Sequence, residues 1–371
     1  MAHQKGPPCL WLLVVILLAL ALITLATGWL VHYCLNLPIS SDHWASEHDA
    51  ERSRRILTQL ASHPNLGWKA GYNRFASKPR GTPRMTMPAE AVDAMREMSW
   101  TASQRFLQES PSEEELPEAF DARLRWPQCP LIGRVPNQAG CGACWAVAAA
   151  GVMSDRICVA SDGRRQVDIS IQDVLTCCPY CGERCNGGST ATAFHYWIKG
   201  GFVTGGAFGS GEGCRPYEYS PDCGSPCPIS SYIDNKAENP ACEASCSPLY
   251  NRSYHEDKHF GSSAYFIPTS FRGNATDELV KRDLMEHGPF AACFPFYEDL
   301  QYYRSGVYWH VVGERLYHHC VRIIGWGREG DWEYWIIVNS FGRNWGENGL
   351  VRIEMKSIFN ETGFSAALPR L

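Results

Sequence analysis

A cysteine at the start of a predicted helix is the first residue of the chain that suggests chemistry. Cys144 ends the string QAGCGAC, and the alanine-rich run Ala146 to Val152 that follows has high helix propensity with only one glycine. Unpaired amides and the positive end of the helix dipole favour an anion at such a position, which biases a thiol towards the nucleophilic thiolate. Cys144 is therefore a candidate nucleophile.

The strings around this cysteine and after it carry a family resemblance. CGACW resembles a signature of papain and cathepsin enzymes. The later strings SDRIC, TCC, CNGG, GCRPY and DKHFG narrow the resemblance to cathepsin B-like cysteine peptidases, from about Leu116 to the C terminus. It implies an α+β, papain-like two-lobed fold with a helical left lobe, a β-rich right lobe and an N-terminal helical prosegment. It also implies protein and peptide substrates and no cofactor.

The runs after Phe260 agree with a β lobe. SGVYWHVV, CVRIIGW, YWIIVNS and GLVRIEM are rich in aromatic and β-branched residues, which is typical of strands. The sequence thus predicts helices first and strands second, with a groove between the lobes.

A nucleophilic cysteine needs a base, an orienting group and donors for the oxyanion. His319 precedes CVRIIGWG, as the family's catalytic histidine precedes a strand ending in Gly-x-Gly, and Asn339 holds the family's Asn-Ser-aromatic position. Gln138 matches the oxyanion glutamine. The separations from Cys144, 319 − 144 = 175 and 339 − 144 = 195 residues, exceed the roughly 130–150 usual in papain and cathepsins. The additional cysteine-rich loops of cathepsin B-like members account for the excess.

Two other histidines, His310 and His318, compete for the role of base. Side chains alternate along a strand, so His318 and His319 face opposite sides and only one can face the cysteine. The GWG string favours His319. Phe341 stands where the family has tryptophan; it can shield the bond between Asn339 and His319 from water but offers no indole N–H.

The resemblance also marks substrate-binding positions. Gly187 and Gly188 resemble the glycine pair along which the substrate backbone extends. Cys293 and Cys320 fall where small apolar residues line the pocket for the second residue before the scissile bond, and Gly363 falls where some members carry an acidic residue. Two free thiols are favoured over a bridge, because a bridge there would exchange with the active cysteine. In either state the pocket should accept apolar side chains and reject arginine.

Seventeen cysteines indicate an oxidising compartment. CCPYCGERCNGG has the spacing of a zinc or iron–sulfur site, but thiols in such a compartment should oxidise, so no metal is expected. The resemblance implies six disulfides: Cys129–Cys158, Cys141–Cys185, Cys177–Cys242, Cys178–Cys181, Cys214–Cys246 and Cys223–Cys227. Only Gly224, Ser225 and Pro226 lie between the last two cysteines, and a histidine-bearing occluding loop is missing there. This predicts an endopeptidase rather than a dipeptidyl carboxypeptidase.

The N terminus supplies the route into that compartment. Leu10 to Val31 has no charge over 22 residues, about 33 Å as a helix, enough to cross a bilayer. Residues 1–9 are interpreted as a short cytosolic segment containing Lys5, and residues 10–33 as a signal anchor, with a cleaved signal peptide as the alternative. The rest would face the lumen of the secretory pathway, and the enzyme would reach endosomes and lysosomes or be secreted. Sequons at Asn251, Asn274 and Asn360 fit this topology.

Residues 34–115 are interpreted as a stalk with an inhibitory prosegment, and residues 116–371 as the peptidase domain. Two helical faces are predicted, Ile56, Leu57 and Leu60 in one helix and Val92, Met95 and Met98 in the other. NLGWKAGYNRF between them resembles the prosegment of cathepsin B-like zymogens; a merely solvated stalk is the alternative. Arg52 to Arg84 is basic while the chain as a whole is acidic, so electrostatic attraction should help to hold the prosegment in the groove. Mild acid should protonate carboxylates, weaken that hold and allow self-processing near Glu115 to Pro117.

Composition limits the partners. The net charge of −5 and pI near 6.2 give no sign of a nucleic-acid binder. The expected partners are substrates, the chain's own prosegment and the membrane, with a monomeric enzyme. The rival function is a non-catalytic papain-fold binding protein, against which Cys144, His319 and Asn339 all stand intact.

Overall fold

The computed structural model describes residues 41–64, 66–72, 89–108, 115–221, 241–268, 275–356 and 363–371. Asp49–Leu371 form one compact unit, and residues 41–48 are the described part of the other unit, Met1–His48. The predicted anchor 10–33, the pair Cys223–Cys227 and the sequons at Asn274 and Asn360 lie outside the described residues. None of the helices in the described ranges is long and apolar enough to cross a membrane.

Helices dominate the first half of the described chain and strands the second. The helices are α1 (Ser41–Ser62), α2 (Ala89–Gln108), α3 (Ala122–Arg125), α4 (Cys144–Ala160), α5 (Ile171–Cys177), α6 (Thr190–Lys199) and α7 (Ala275–His287). The strands are β1 (Trp68–Ala70), β2 (Phe120–Asp121), β3 (Gly261–Ile267), β4 (Phe290–Tyr297), β5 (Tyr303–Tyr308), β6 (Arg315–Glu329), β7 (Trp332–Val338), β8 (Leu350–Glu354) and β9 (Phe364–Pro369). The predicted order of helical part and β part is confirmed.

One sheet joins these strands in the order β1-β5-β8-β7-β6-β4-β9-β3, with β2 paired to β6. Its long central strand β6 pairs with both β4 and β7 in antiparallel register. Because β6 carries His319 and β7 ends just before Asn339, the sheet brings two of the predicted site residues to one place.

Helix α4 joins the helical part to the sheet. It packs against β6 and β9, and most of its side chains are buried, including the polar residues Ser154, Asp155 and Arg156. Arg322 of β6 donates to Asp155 of α4 over 2.7 Å. The helix that begins with Cys144 is thereby tied to the strand that carries His319.

A second buried ion pair fixes α4 to the elements behind it. Arg156, fully buried, lies 2.5 Å from the carboxylate of Asp283 in α7 and donates to the hydroxyl of Tyr265 in β3 over 2.7 Å. It also donates to the carbonyl of Pro289 over 2.7 Å. Every donor position of such a buried guanidinium needs a partner, because an unpaired charge in the interior is costly.

The N-terminal segment packs on the β part. Ile56 and Leu60 of α1 are buried in the same apolar core as Tyr302, which confirms the first predicted helical face; Leu57 packs at its edge. Strand β1 pairs antiparallel with β5. The Tyr302 hydroxyl donates to Ser53 Oγ over 2.9 Å. The interpretation as a solvated stalk does not fit this packing.

The second predicted face, in α2, is wrong in part. Met98 is buried, but Met95 is half-buried and Val92 is 43 % exposed. The buried residues are Ala91, Ala94, Met98 and Ala102. Their spacing of three and four residues makes one stripe along the helix. Small alanines let α2 lie close against β3 and α6, which hydrophobicity alone did not indicate.

Candidate active site

Cys144 is the first residue of α4 and is half-buried. Among the cysteines in the described ranges it is the one that forms no disulfide. The loop before it is held by the bond Cys141–Cys185 and by the Gly142 N–H, which donates to the Cys185 carbonyl over 2.9 Å. A Cβ on Gly142 would lie 2.1 Å from that carbonyl oxygen, so only glycine fits. The thiol therefore sits on a fixed turn at a helix N terminus, where an anion is favoured.

His319 and Asn339 form a hydrogen-bonded pair. His319 Nε2 lies 2.7 Å from Asn339 Oδ1. The same oxygen accepts from the Ser340 N–H over 2.8 Å, and the Asn339 N–H donates to the Gly349 carbonyl over 3.0 Å. Because Asn339 presents an acceptor, His319 must carry its proton on Nε2 to donate to it.

Aromatic rings enclose this pair. His319 is 1 % exposed, with the ring of Phe341 at 5.0 Å, that of Phe296 at 5.3 Å and that of Phe294 at 6.1 Å between centroids. Phe341 therefore lies against the His319 ring, in a position to shield the His319–Asn339 hydrogen bond from water. Exclusion of water strengthens a hydrogen bond in such a site.

Gln138 is buried at 2 % exposure and joins the cysteine loop to the segment after β7. Its N–H donates to the Ser340 carbonyl over 2.8 Å, and its Oε1 accepts from Ser340 Oγ over 2.5 Å. Its Nε2 donates to the Cys141 carbonyl over 2.8 Å. The last two bonds fix both ends of the side-chain amide, and the first fixes its backbone.

Gly188, the second residue of the predicted glycine pair Gly187–Gly188, packs against Trp145, the residue after the candidate nucleophile. A Cβ on Gly188 would lie 2.4 Å from the Trp145 ring, whereas one on Gly187 would meet nothing within 4 Å. Gly187 also has a φ of 114°, which favours glycine. The open space beside Gly187 and the close packing of Gly188 on Trp145 suit a surface along which an extended peptide backbone lies.

The residues of this site lie within a region that matches a known protein family. A model of the papain family cysteine proteases matches residues 116–367. The chain belongs to the papain family. A cathepsin B-like cysteine proteinase of Schistosoma japonicum is 36 % identical over 81 % of this chain and 85 % of its own length. Cathepsin B-like cysteine proteinase 1 of Ostertagia ostertagi is 41 % identical over 68 % of this chain and 71 % of its own. The chain is a cathepsin B-like cysteine peptidase of this family.

Solved zymogen structures share the fold. Procathepsin B S9 from Trypanosoma congolense is 30 % identical and has a TM-score of 0.62, over 86 % of this chain and 98 % of its own. Procathepsin L 3 of Tenebrio molitor larval midgut has a TM-score of 0.57 at 18 % identity, over 92 % of this chain and 98 % of its own, which shows the fold alone. The resemblance inferred from the motifs is confirmed.

The expectation of free thiols at Cys293 and Cys320 is wrong for this peptidase. The two residues lie directly opposite each other in the antiparallel pair β4–β6, with Cα atoms 4.0 Å apart, and they form a disulfide. The strand register, which the sequence did not reveal, makes the bridge possible. Cys293 Sγ also lies 3.8 Å from Thr190 Oγ1 at the start of α6. Gly363 is exposed, and a Cβ there would lie 3.6 Å from the ring of Phe266.

Five of the six predicted disulfides are confirmed: Cys129–Cys158, Cys141–Cys185, Cys177–Cys242, Cys178–Cys181 and Cys214–Cys246. The cysteines of the string CCPYCGERC are all used in these bonds, so the alternative of a zinc or iron–sulfur site there is excluded.

The competing histidines have other contacts. His318 is exposed, and its Nε2 lies 2.6 Å from the guanidinium of Arg315. His310 Nδ1 lies 3.1 Å from the buried carboxylate of Asp299, and its ring stacks on Tyr297 at 3.8 Å. Neither reaches Asn339 in the way that His319 does.

Sequence reasoning missed two residues that hold the site, Ser340 and Tyr217. Ser340 bridges Gln138 and Asn339, as described above. The Tyr217 hydroxyl donates to the Gln138 carbonyl over 2.9 Å. Burial raises the pKa of Tyr217 well above its ordinary value, and Tyr219 and Cys144 add to the shift. Its place in the string GCRPY marked the family but gave no sign of this contact.

Proposed function

We propose that the protein is a lumenal cysteine endopeptidase, made as a zymogen, whose nucleophile is Cys144. The observation that carries the proposal is the pair His319–Asn339, at 2.7 Å and enclosed by aromatic rings, together with a thiol at the N terminus of α4. A non-catalytic binding protein would need neither an imidazole held in one tautomer by Asn339 nor a thiol kept out of a disulfide at a helix N terminus.

The pair sets the proton path. Since His319 Nε2 donates to Asn339, Nδ1 is the nitrogen that exchanges a proton with the thiol. The Cys144 thiolate attacks the peptide carbonyl, and the imidazolium then protonates the leaving amine. Water hydrolyses the resulting thioester with His319 as base.

Gln138 stabilises the oxyanion. A side-chain amide nitrogen has two N–H donors, and the Cys141 carbonyl takes one of those of Gln138. The other, with the Cys144 backbone N–H, would hold the negative oxygen that develops in the transition state. The fixed amide costs no reorganisation during the reaction.

The substrate lies along Gly187 and Gly188. We propose that Cys293, Cys320, Phe341 and Gly363 help to form the groove, with Cys293, Cys320 and Gly363 at the pocket for the second residue before the scissile bond. The disulfide makes its wall apolar and rigid, and Gly363 supplies no anion for an arginine. The short segment between Cys223 and Cys227, outside the described residues, supports endopeptidase activity; a strong preference for a free peptide C terminus over its amide would contradict this.

The proposed organisation is a cytosolic segment 1–9, an anchor or signal 10–33, a stalk and prosegment 34–115 and a peptidase domain 116–371. The prosegment contacts of α1, β1 and α2 support an inhibitory role. Delivery through the secretory pathway, to endosomes and lysosomes or outside the cell, is supported by the disulfides, which persist in oxidising compartments.

Hydrolysis of a peptide amide with leucine in the second position before the bond tests the proposal. The acid-processed enzyme should cleave it, and enzyme with Cys144→Ala, freed of its prosegment by an added protease, should not. Equal cleavage by both forms would remove Cys144 as nucleophile. A folded, processed wild type without any cleavage would favour the binding protein.

A further inference from the structure

Arg105, near the end of α2, places its guanidinium among side chains of β3 and α7. The guanidinium carbon lies 4.7 Å from the ring centroid of Tyr265 in β3. One of its nitrogens lies 3.7 Å from the Asp283 carboxylate and also contacts His287 Nε2. A face of an aromatic ring, a carboxylate and a neutral imidazole together form a binding site for a planar cation.

The charges in this site are finely balanced. Asp283 is shared, since Arg156 lies 2.5 Å from its carboxylate and the Tyr265 hydroxyl donates to it over 2.6 Å. The charged groups that face His287 are Arg105 from α2, Arg156 from α4, and Asp283 and Glu286 from α7. Glu286 lies 3.5 Å from the imidazole. Two guanidinium groups therefore already oppose two carboxylates before His287 takes up a proton.

A proton on His287 changes the contact with Arg105. A guanidinium only donates hydrogen bonds, so His287 Nε2 can accept one only while the imidazole is neutral. Protonation turns that acceptor into a donor and adds a third cation beside two guanidinium groups. The bond is then lost and replaced by repulsion.

The pH dependence of the binding of α2 has a definite direction. Burial lowers the pKa of His287 below its ordinary value; the carboxylates of Asp283 and Glu286 oppose the shift, and Arg156 and Arg105 add to it. Departure of α2 removes Arg105 and part of the burial, so the pKa of His287 rises when α2 leaves. Because the pKa of His287 is lower when α2 is bound, α2 binds fully at neutral pH. Its binding weakens as the pH falls through the pKa that the histidine has when α2 is released, ordinarily about 6.5 for histidine.

We propose that Tyr265, Asp283 and His287 form a guanidinium-binding site that holds α2 through Arg105 and releases it when His287 takes up a proton. The proposal rests on the proposed zymogen and names the group through which acid acts on it. A second histidine also contacts α2: His195 Nε2 lies 3.0 Å from the Glu97 carboxylate.

Hydrogen exchange in α2 tests the proposal on the full-length zymogen with Cys144→Ala, which cannot process itself. Protection, corrected for intrinsic exchange, is measured from pH 7.5 to 4.5 in this parent and with His287→Gln or His287→Arg added. The parent should lose protection below about pH 6.5, and His287→Gln, which removes the titrating group, should move the midpoint down by about one pH unit. His287→Arg should expose α2 already at neutral pH. His255→Gln, in an exposed turn, is the matched control and should behave as the parent.

The titration of His287, followed by its NMR signals, is the second measurement. Arg105→Ala should raise the pKa of His287, whereas Arg96→Ala, on the exposed face of the same helix, should leave it unchanged. Equal midpoints for parent and His287→Gln, or an unchanged His287 pKa with Arg105→Ala, would overturn the proposal. Neither readout uses peptidase activity, so a failure here is distinct from a failure of the proposed catalysis.

Discussion

Around His319 the contacts are a neutral hydrogen bond and aromatic rings, whereas around Arg105 they are charges that a single proton can change. His319 is 1 % exposed and is fixed by Asn339 and Phe341. Arg105 retains a side-chain exposure of 20 % and lies against His287 and Asp283. The first region lies in the proposed peptidase domain, and the second joins that domain to α2, the helix whose release we propose.

For the proposed zymogen, the difference explains how one chain would keep its catalytic geometry and still release its prosegment. The Asn339 amide has no charge to lose between neutral and mildly acidic pH, so the orientation it gives to the imidazole persists. A contact with histidine can change within that range.

The largest effect is expected from Arg156→Ala. This guanidinium is fully buried, and its loss leaves the Asp283 carboxylate with less compensation in the interior. Removing one partner of such a pair costs roughly 3–5 kcal/mol in the free energy of unfolding. Urea unfolding of the Cys144→Ala zymogen measures it. The exposed pair Arg96–Asp93 is the control, and Arg96→Ala should cost less than about 0.5 kcal/mol. Similar losses for both would contradict the distinction between buried and exposed charge.

Asn339→Ala should lower kcat/KM by roughly 10²-fold, because a misplaced imidazole loses the geometry of attack. The exposed Asn344, five residues further on, offers the control, and Asn344→Ala should stay within about twofold of the wild type. Steady-state hydrolysis of a peptide amide by the processed enzymes gives both numbers. An Asn339→Ala enzyme as active as the control would show that the bond to His319 does not position the base.

Gly363→Glu should raise the cleavage rate of a substrate with arginine in the second position before the scissile bond, relative to one with leucine there, by roughly tenfold. The added carboxylate would pair with the guanidinium that the apolar pocket otherwise rejects. Parallel rate measurements on the two substrates test this, with Gly363→Gln as the uncharged control of the same shape. If glutamine changes the ratio as much as glutamate, charge at this position does not decide specificity.

The smallest effect is expected from Glu97→Gln, whose side chain is 57 % exposed. The bond from His195 lowers the pKa of Glu97, with burial opposing it. The contact therefore persists as the pH falls to the ordinary range of a glutamate and is lost below it. Its removal should speed acid self-processing by less than about fivefold, as followed by the loss of intact zymogen on gels. Glu90→Gln, at the exposed start of the same helix, should leave the rate unchanged. Slower processing with Glu97→Gln would contradict the prediction that the contact with His195 helps to hold α2.

Sequence motifs predicted the parts of this molecule that depend on local order. Cys144 at a helix start and the strand that carries His319 follow from strings that can be read in the chain, and the pairing of the five confirmed disulfides was implied by the family resemblance that those strings carry. The Cys293–Cys320 bridge did not, because it depends on the register between β4 and β6 rather than on either strand. The buried face of α2 depends on how closely small residues approach the neighbouring strand, which hydrophobicity does not report. The contacts of Ser340 and Tyr217 join segments far apart in sequence and carry no local pattern.

The most direct measurement is labelling of the zymogen by a thiol-reactive peptidyl epoxide, with the modified residue located by mass spectrometry. The purified chain is treated at pH 7.5 and after incubation at mildly acidic pH, with Cys144→Ala as control. We expect no label at pH 7.5, and after acid a single label on Cys144 together with a new N terminus near Glu115 to Pro117. The Cys144→Ala chain should neither process itself nor take up label. A folded, acid-treated wild type without label, or complete processing of purified Cys144→Ala with no other protease present, would contradict the account.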